Sequence, residues 1–280
     1  MYYDLKTKRL VKSKKSKALK FLYNTILGRL ILKIITSHLV AKIYAKYMNS
    51  KLSTIKIKSF IKSNNIDMNE YQEKDYNSFN DFFIRKIKKN KRKIEDGLIA
   101  IADSKLTVYK IDKNSSFKIK NSVYTVEELI QDSANKYEYA LIFRLEAHDY
   151  HHYCFPDDGI VLSSKQIKGI LHTVQPIAFK KYKVFTENTR NVSFLKCKNL
   201  GNVCYIEVGA MMIGKIVNEP VTSFKKGDEK GHFEFGGSTI VLLLEKNKVK
   251  VDKQILENSK NNIETIIKLG NRVGGVLHKK

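Results

Sequence analysis

Two hydrophobic rhythms divide the chain. Between residues 17 and 48, apolar side chains recur three and four positions apart, at Leu19, Leu22, Tyr23, Ile26, Leu27, Leu30, Ile31 and Ile34. That spacing gathers them on one stripe of a helix. Gly28 and the Thr36-Ser37-His38 stretch mark breaks, so the pattern predicts two or three short amphipathic helices running to about residue 61. Residues 1–17 form a basic arm ahead of them. Another helix is predicted over 78–88, with Ser78 as its cap three residues before Asp81. From about residue 100 the rhythm changes to short apolar and β-branched runs bounded by turn residues. Strands are predicted over 98–108, 116–119, 138–145, 159–166, 202–208, 215–217, 238–245 and 248–251, with helices over 125–131 and 259–268. The class is α+β: a β-rich body, an irregular barrel or sandwich, with an N-terminal amphipathic helical segment. We divide it into a segment of residues 1–62 and a body of residues 63–280.

Charge changes the reading of the first segment. The 280-residue chain has a formal net charge of +24, and residues 1–62 hold 16 Lys or Arg against a single acid, Asp4. Such a patch implies an anionic partner, nucleic acid or an anionic membrane surface. No zinc-finger, RNA-recognition or helix-turn-helix signature accompanies it, and nucleic acid leaves the apolar stripe unexplained. Residues 21–28 and 34–41 are free of charge but short, and Arg29 and Lys33 lie between them. A segment of this kind can lie on a bilayer but falls short of the ~20 apolar residues needed to cross one. The cysteines, Cys154, Cys197 and Cys204, are odd in number and lack CxxC spacing. That argues against a disulfide framework and a cysteine zinc site, and for a reducing cytoplasm; no metal is expected.

Chemistry concentrates at Phe235-Gly236-Gly237-Ser238-Thr239, which runs straight into an apolar strand. Glycine tolerates the backbone geometry that brings a side-chain hydroxyl over the preceding peptide, and the Gly237 carbonyl is unhindered. A serine there can attack its own backbone. Taken alone, the same residues read first as a glycine turn before a buried strand.

The surrounding motifs decide between these readings. They are Phe79-Asn80-Asp81-Phe82-Phe83-Ile84-Arg85-Lys86, Ala102-Asp103-Ser104-Lys105-Leu106, Asp149-Tyr150-His151-His152-Tyr153-Cys154-Phe155-Pro156, Gly169-Ile170-Leu171-His172-Thr173, Val208-Gly209-Ala210-Met211-Met212 and Lys226-Gly227-Asp228 through Thr239. In this order they resemble the phosphatidylserine decarboxylase proenzymes over nearly the whole chain. The resemblance implies self-cleavage at Gly237–Ser238 into a β chain, 1–237, and an α chain, 238–280, that stay associated. Ser238 would become a covalent pyruvoyl group, the enzyme's only cofactor. That group would take phosphatidylserine as a Schiff base and yield phosphatidylethanolamine.

The resemblance also implies an Asp–His–Ser relay, with Asp103 and Ser238 as two members. The histidine departs from the pattern. Where many relatives have two histidines three residues apart, this chain has His151 and Cys154, with His152 between them. His151 is the expected base, and Cys154 and His172 are the alternatives. Gly236 stands where the family most often has Leu, and Met211, Met212 and Phe235 are expected to line the site. The implied setting is peripheral, on the cytoplasmic side of the cell membrane, and homo-oligomers are compatible with it. Competing readings are a basic nucleic-acid-binding protein and a pyruvoyl decarboxylase of a soluble amino acid, which would not need residues 17–48.

Overall fold

Strand β15 (Ser238–Glu245) organises the body. All its residues but Glu245 are buried, because strands flank it on both sides and other elements cover both faces. That is why its sequence is a continuous β-branched and leucine run with no polar alternation. The computed structural model describes residues 1–12, 16–119, 122–133, 137–211, 215–236 and 238–277. Among these, the main sheet runs β13 (Ser223–Phe224), β9 (Gly159–Ile167), β10 (Arg190–Cys197), β11 (Gly201–Val208), β15, β7 (Tyr137–Leu145), β4 (Ser104–Lys110), β17 (Glu264–Ile267), β1 (Tyr2–Asp4) and β2 (Arg9–Val11). Neighbours are antiparallel except β1 and β17. The sheet stays open, so the body is a layered sandwich.

Alternate residues of β15 feed two cores. Ile240, Leu242 and Leu244 join Leu106, Phe143 and Leu145 on one face. Two small sheets cover that face: β12 (Ile216–Asn218), β14 (Glu229–Phe233) and β8 (His152–Cys154), then β16 (Val249–Val251), β18 (Arg272–Val276) and β3 (Leu98–Ile99). Val241 and Leu243 face the other way. There they meet the hairpin of β5 (Ser116–Ile119) and β6 (Ser122–Thr125), and the short helices α6 (Val126–Ile130) and α7 (Val184–Glu187). Each fully buried side chain of this size contributes about 1.5–3 kcal/mol.

The N-terminal segment forms four helices: α1 (Lys17–Asn24), α2 (Ile26–Ile35), α3 (His38–Met48) and α4 (Ile55–Asn64). Ser16, Thr25 and Ser37 cap the first three, each accepting a backbone N–H with its hydroxyl. Gly28 is no break. It lies inside α2, where an added Cβ would meet the Phe21 carbonyl oxygen at 2.2 Å; it lets α2 pack on α1, and Thr25 makes the break.

Other expectations also change. The basic arm carries the β1–β2 hairpin. The helix expected over 78–88 is a single turn, α5 (Phe79–Phe83), ended where the Arg85 guanidinium folds back to donate to Phe82 O (3.4 Å). The helix expected over 259–268 is replaced by α8 (Lys253–Lys260) and β17. Asn262, with φ of 57°, turns the chain, and the following isoleucines complete a row between β4 and β1.

Candidate active site

Ser238 opens β15 and pairs with Leu145 of β7. It is fully buried, and its Oγ has no hydrogen-bond partner. Just upstream, Phe233 N donates to His151 O (3.0 Å), and Phe235 N donates to Asn80 Oδ1 (2.8 Å). Gly236 has φ of 147°, which a side chain would oppose, so glycine rather than leucine suits this turn. Gly237 lies outside the described residues, as does Met212.

His151 is also fully buried. Its Nδ1 lies 2.9 Å from Asp149 O. A carbonyl can only accept, so Nδ1 carries the hydrogen and Nε2 presents a lone pair. That Nε2 has no partner. Burial pushes the imidazole pKa down to about 3 against the opposing Asp149 hydrogen bond, and the Arg85 cation adds to the fall. The ring is therefore neutral at physiological pH. It packs on Phe83 (centroids 4.0 Å apart), which packs on Phe235 (5.1 Å). Phe83 thus wedges the histidine against the segment that leads into Ser238.

Asp103 sits at the same end of the sheet but is engaged elsewhere. Its carboxylate accepts from Arg92 Nε (3.0 Å) and Nη2 (2.7 Å), Lys268 Nζ (2.9 Å) and Leu269 N (2.8 Å). Burial pushes its pKa up, but Lys268 and Arg92 more than offset this and hold it below the ordinary aspartate value. His151 is not among its partners. Lys105, two residues on, pairs with Arg144 of β7, the residue before Ser238's partner Leu145, which leaves Asp103 about two strand spacings, roughly 10 Å, from the serine backbone.

Asp149 holds the histidine's own segment. Its Oδ2 accepts from Lys105 Nζ (2.7 Å) and Glu146 N (2.8 Å). Sequence reasoning gave neither Lys105 nor Asp149 a role. Their signal was present in charged residues set in two motifs that otherwise build buried strands. Asn80 was missed as well. Its amide donates to Asn49 Oδ1 at the end of α3 (3.0 Å) while its oxygen holds Phe235 N.

The alternative bases have different surroundings. Cys154 is buried, and burial pushes its thiol up to about 12, so it stays protonated. His172 lies with Nδ1 3.3 Å from the Tyr23 hydroxyl of α1, its ring 3.9 Å from that of Tyr182. Burial lowers its pKa to about 4. Tyr23 belongs to the core on the sheet face opposite Ile240 and Leu242, so His172 is placed there with it. Met211 is half-buried beside that same core, its N–H donating to His172 O (3.3 Å).

The helical layer reaches the site. Tyr44 of α3 packs on Phe235 (5.8 Å). The layer bares apolar side chains: Ile26 is 74% exposed, Leu52 78% and Ile55 82%, with Leu27, Leu30, Ile34, Leu39 and Ile43 also exposed. Among the described residues no helix is long and apolar enough to cross a membrane.

Comparison with known proteins gives the family. The phosphatidylserine decarboxylase family profile matches residues 79–275. Phosphatidylserine decarboxylase proenzyme 2 of Clostridium acetobutylicum is 53% identical, covering 97% of this chain and 96% of its own length. The proenzyme of Clostridium tetani is 41% identical over 98% and 97%, and that of Fusobacterium nucleatum 42% identical over 92% and 90%. On a profile match over residues 79–275 and relatives similar over nearly their whole length, the chain belongs to the phosphatidylserine decarboxylase family.

Proposed function

We propose that the chain matures by attack of Ser238 Oγ on the Gly237 carbonyl carbon, with His151 Nε2 as base, and then decarboxylates phosphatidylserine at an anionic membrane surface. The observation that carries this reading is the pair of buried, partnerless reactive atoms, Ser238 Oγ and His151 Nε2. A buried hydroxyl without a partner costs about 1–3 kcal/mol. Each such atom calls for an explanation, and a reaction that uses both is the one their residue types offer.

In the first step the Ser238 hydroxyl proton moves to His151 Nε2. The new Oγ–C bond forms as the C–N bond breaks, and the proton passes to the freed Ser238 amine. The peptide is now an ester. Loss of the Ser238 α-proton and cleavage of Cβ–Oγ then leave a carboxylate on Gly237. The dehydroalanine left at 238 takes a proton at Cβ to become an imine, and water adds to that carbon, releasing ammonia and leaving the pyruvoyl carbonyl. Cutting here leaves β15 in place between β11 and β7, with its side chains in both cores.

A pyruvoyl group fits position 238, because removing the hydroxyl there breaks no hydrogen bond. Bound at that point, it supplies a conjugated carbonyl that accepts the electron pair left when carbon dioxide departs. His151 can hold or return a proton because its lone pair is free, and Phe83 and Phe235 keep water from it. Asp103 acts as a positioning residue, tying the start of β4 to the turn after β17 through Lys268 and Leu269. Asp149, through its backbone carbonyl, orients the imidazole.

The exposed apolar side chains of α2, α3 and the turn into α4 are read as the bilayer face, on the cytoplasmic leaflet. Each Lys or Arg near such a surface adds about 1 kcal/mol. This face also favours a lipid over a soluble amino acid as substrate. Denaturing mass spectrometry tests the maturation. Wild-type protein should yield a C-terminal chain starting at 238 without an amino group, and Ser238→Ala one uncut chain. A wild-type chain that stays whole yet decarboxylates phosphatidylserine overturns the mechanism. Liposome flotation tests the docking: binding should require anionic lipid and weaken with salt, since exposed charges are screened within about 10 Å at 0.1 M. Equal binding to neutral vesicles would remove charge from the account.

A further inference from the structure

We propose that His152, Glu229 and His232 form a binding site for a divalent transition metal of the zinc class, which staples β8 to β14. One ligand-competent atom from each of the three residues lies within 4.8 Å of the others. Two come from β14, three residues apart across a bulge between Glu229 and Gly231, and one from β8, the strand it pairs with. The mechanism above uses none of them.

The orientation of His152 is what points to a cation. Its Nε2 lies 3.0 Å from Ile84 O, and a carbonyl can only accept, so Nε2 carries a hydrogen. In the neutral ring, Nδ1 is then a lone pair. That lone pair faces the Glu229 carboxylate at 2.6 Å. Two acceptors at this distance require a positive species between them, a proton or a metal ion. A ring N–H given to a backbone carbonyl is also the outer-shell bond that fixes metal-binding histidines. Stacking on Tyr150 (4.9 Å) holds the ring from one side, and His232 stands 4.9 Å away.

His232 favours the metal over the proton. A proton would be shared by His152 and Glu229 alone and would leave His232 without a task, yet its Nδ1 is buried with no hydrogen-bond partner. Two imidazoles and a carboxylate are a donor set that zinc accepts, with ligand bonds of about 2.0–2.2 Å. Around such a centre the donor atoms stand about 3.3 Å apart, so the His152–Glu229 pair parts slightly and the wider separation closes. Lys86 Nζ, 3.4 Å from Glu229, is on an exposed side chain that can swing away as the ion enters.

The test uses the untagged full-length protein, stripped with chelator, loaded with zinc alone, desalted and analysed for metal. The wild type should retain one equivalent per chain and melt at a higher temperature than the stripped form. Cobalt(II) in place of zinc should give the visible absorption of a tetrahedral site. His232→Ala and Glu229→Gln should each lower affinity about tenfold or more and lose the zinc-dependent rise in melting temperature. Both variants should still cut at Gly237–Ser238, which shows that they fold. Trace retention by the wild type, or equal retention by both variants, overturns the proposal and leaves His152 and Glu229 as an ion pair.

Discussion

The Asp103 corner and the His151–Ser238 centre share one end of the main sheet but are built on opposite plans. At Asp103 every acceptor direction is used: two guanidinium nitrogens, an ammonium and a backbone N–H converge on one buried carboxylate. At the centre, Ser238 Oγ and His151 Nε2 are just as buried and bond to nothing. A satisfied network holds shape, because removing any member strands the rest. An unsatisfied pair contributes no such stability and leaves its lone pairs free. The two plans therefore make opposite predictions for substitutions a few residues apart.

The largest contrast is in cleavage. His151→Ala should block or greatly slow cutting at Gly237–Ser238, measured as the fraction of cut chain against time, and should lower the melting temperature only through the packing lost against Phe83, with no ion pair broken. Asp103→Ala should do the reverse in kind. Removing one partner of a buried ion pair costs about 3–5 kcal/mol, visible in a denaturation curve, and slower cutting should follow from lost fold. If conditions that restore folding of Asp103→Ala leave it as inert as His151→Ala, the carboxylate belongs to the reacting set after all.

A pH series sharpens the same contrast. The folded His151 pKa of about 3 lies below its ordinary value of 6.5. Between these values the unfolded chain binds more protons, so this group's stabilising contribution is complete above about pH 6.5 and is lost as pH falls toward about 3. Asp103, also depressed, contributes fully above the ordinary aspartate value and loses its contribution as pH falls through its folded value. Cleavage by the folded protein should then show no inflection near pH 6.5, because the base is already neutral. A histidine-like inflection there would mean that His151 is exposed before it reacts.

The smallest expected effect is at Cys154. Cys154→Ala removes a thiol that burial keeps protonated, so cutting should slow little. The loss should appear as the modest destabilisation of a small buried side chain. If this variant does not cut while His151→Ala matures normally, the base has been misassigned.

Much of this was legible in the sequence where one force acts alone. The continuous apolar run of β15 has few interpretations, and the stripe of α1 and α2 follows helical spacing. Partners remote in sequence were not legible. Nothing local to Asp103 announces Arg92 and Lys268, and nothing local to 264–267 says that its isoleucines lie between β4 and a strand from the first residues of the chain. Arg190–Cys197 and Glu229–Phe233 mix lysine, arginine or glycine into their runs, which hid both strands. Gly28 reads as a break because glycine disfavours helices, but here the neighbouring helix needs the space.

The place of β15 between β11 and β7 changes what kind of object the protein becomes. Before the cut, folding is a one-molecule event. Afterwards the unfolded state is two molecules, and recovering the sheet requires that residues 238–280 find a groove whose walls are themselves held together by that strand. Refolding of the mature enzyme then depends on concentration, where that of the precursor does not. Its lifetime is set by how slowly the strand leaves rather than by how well it would return.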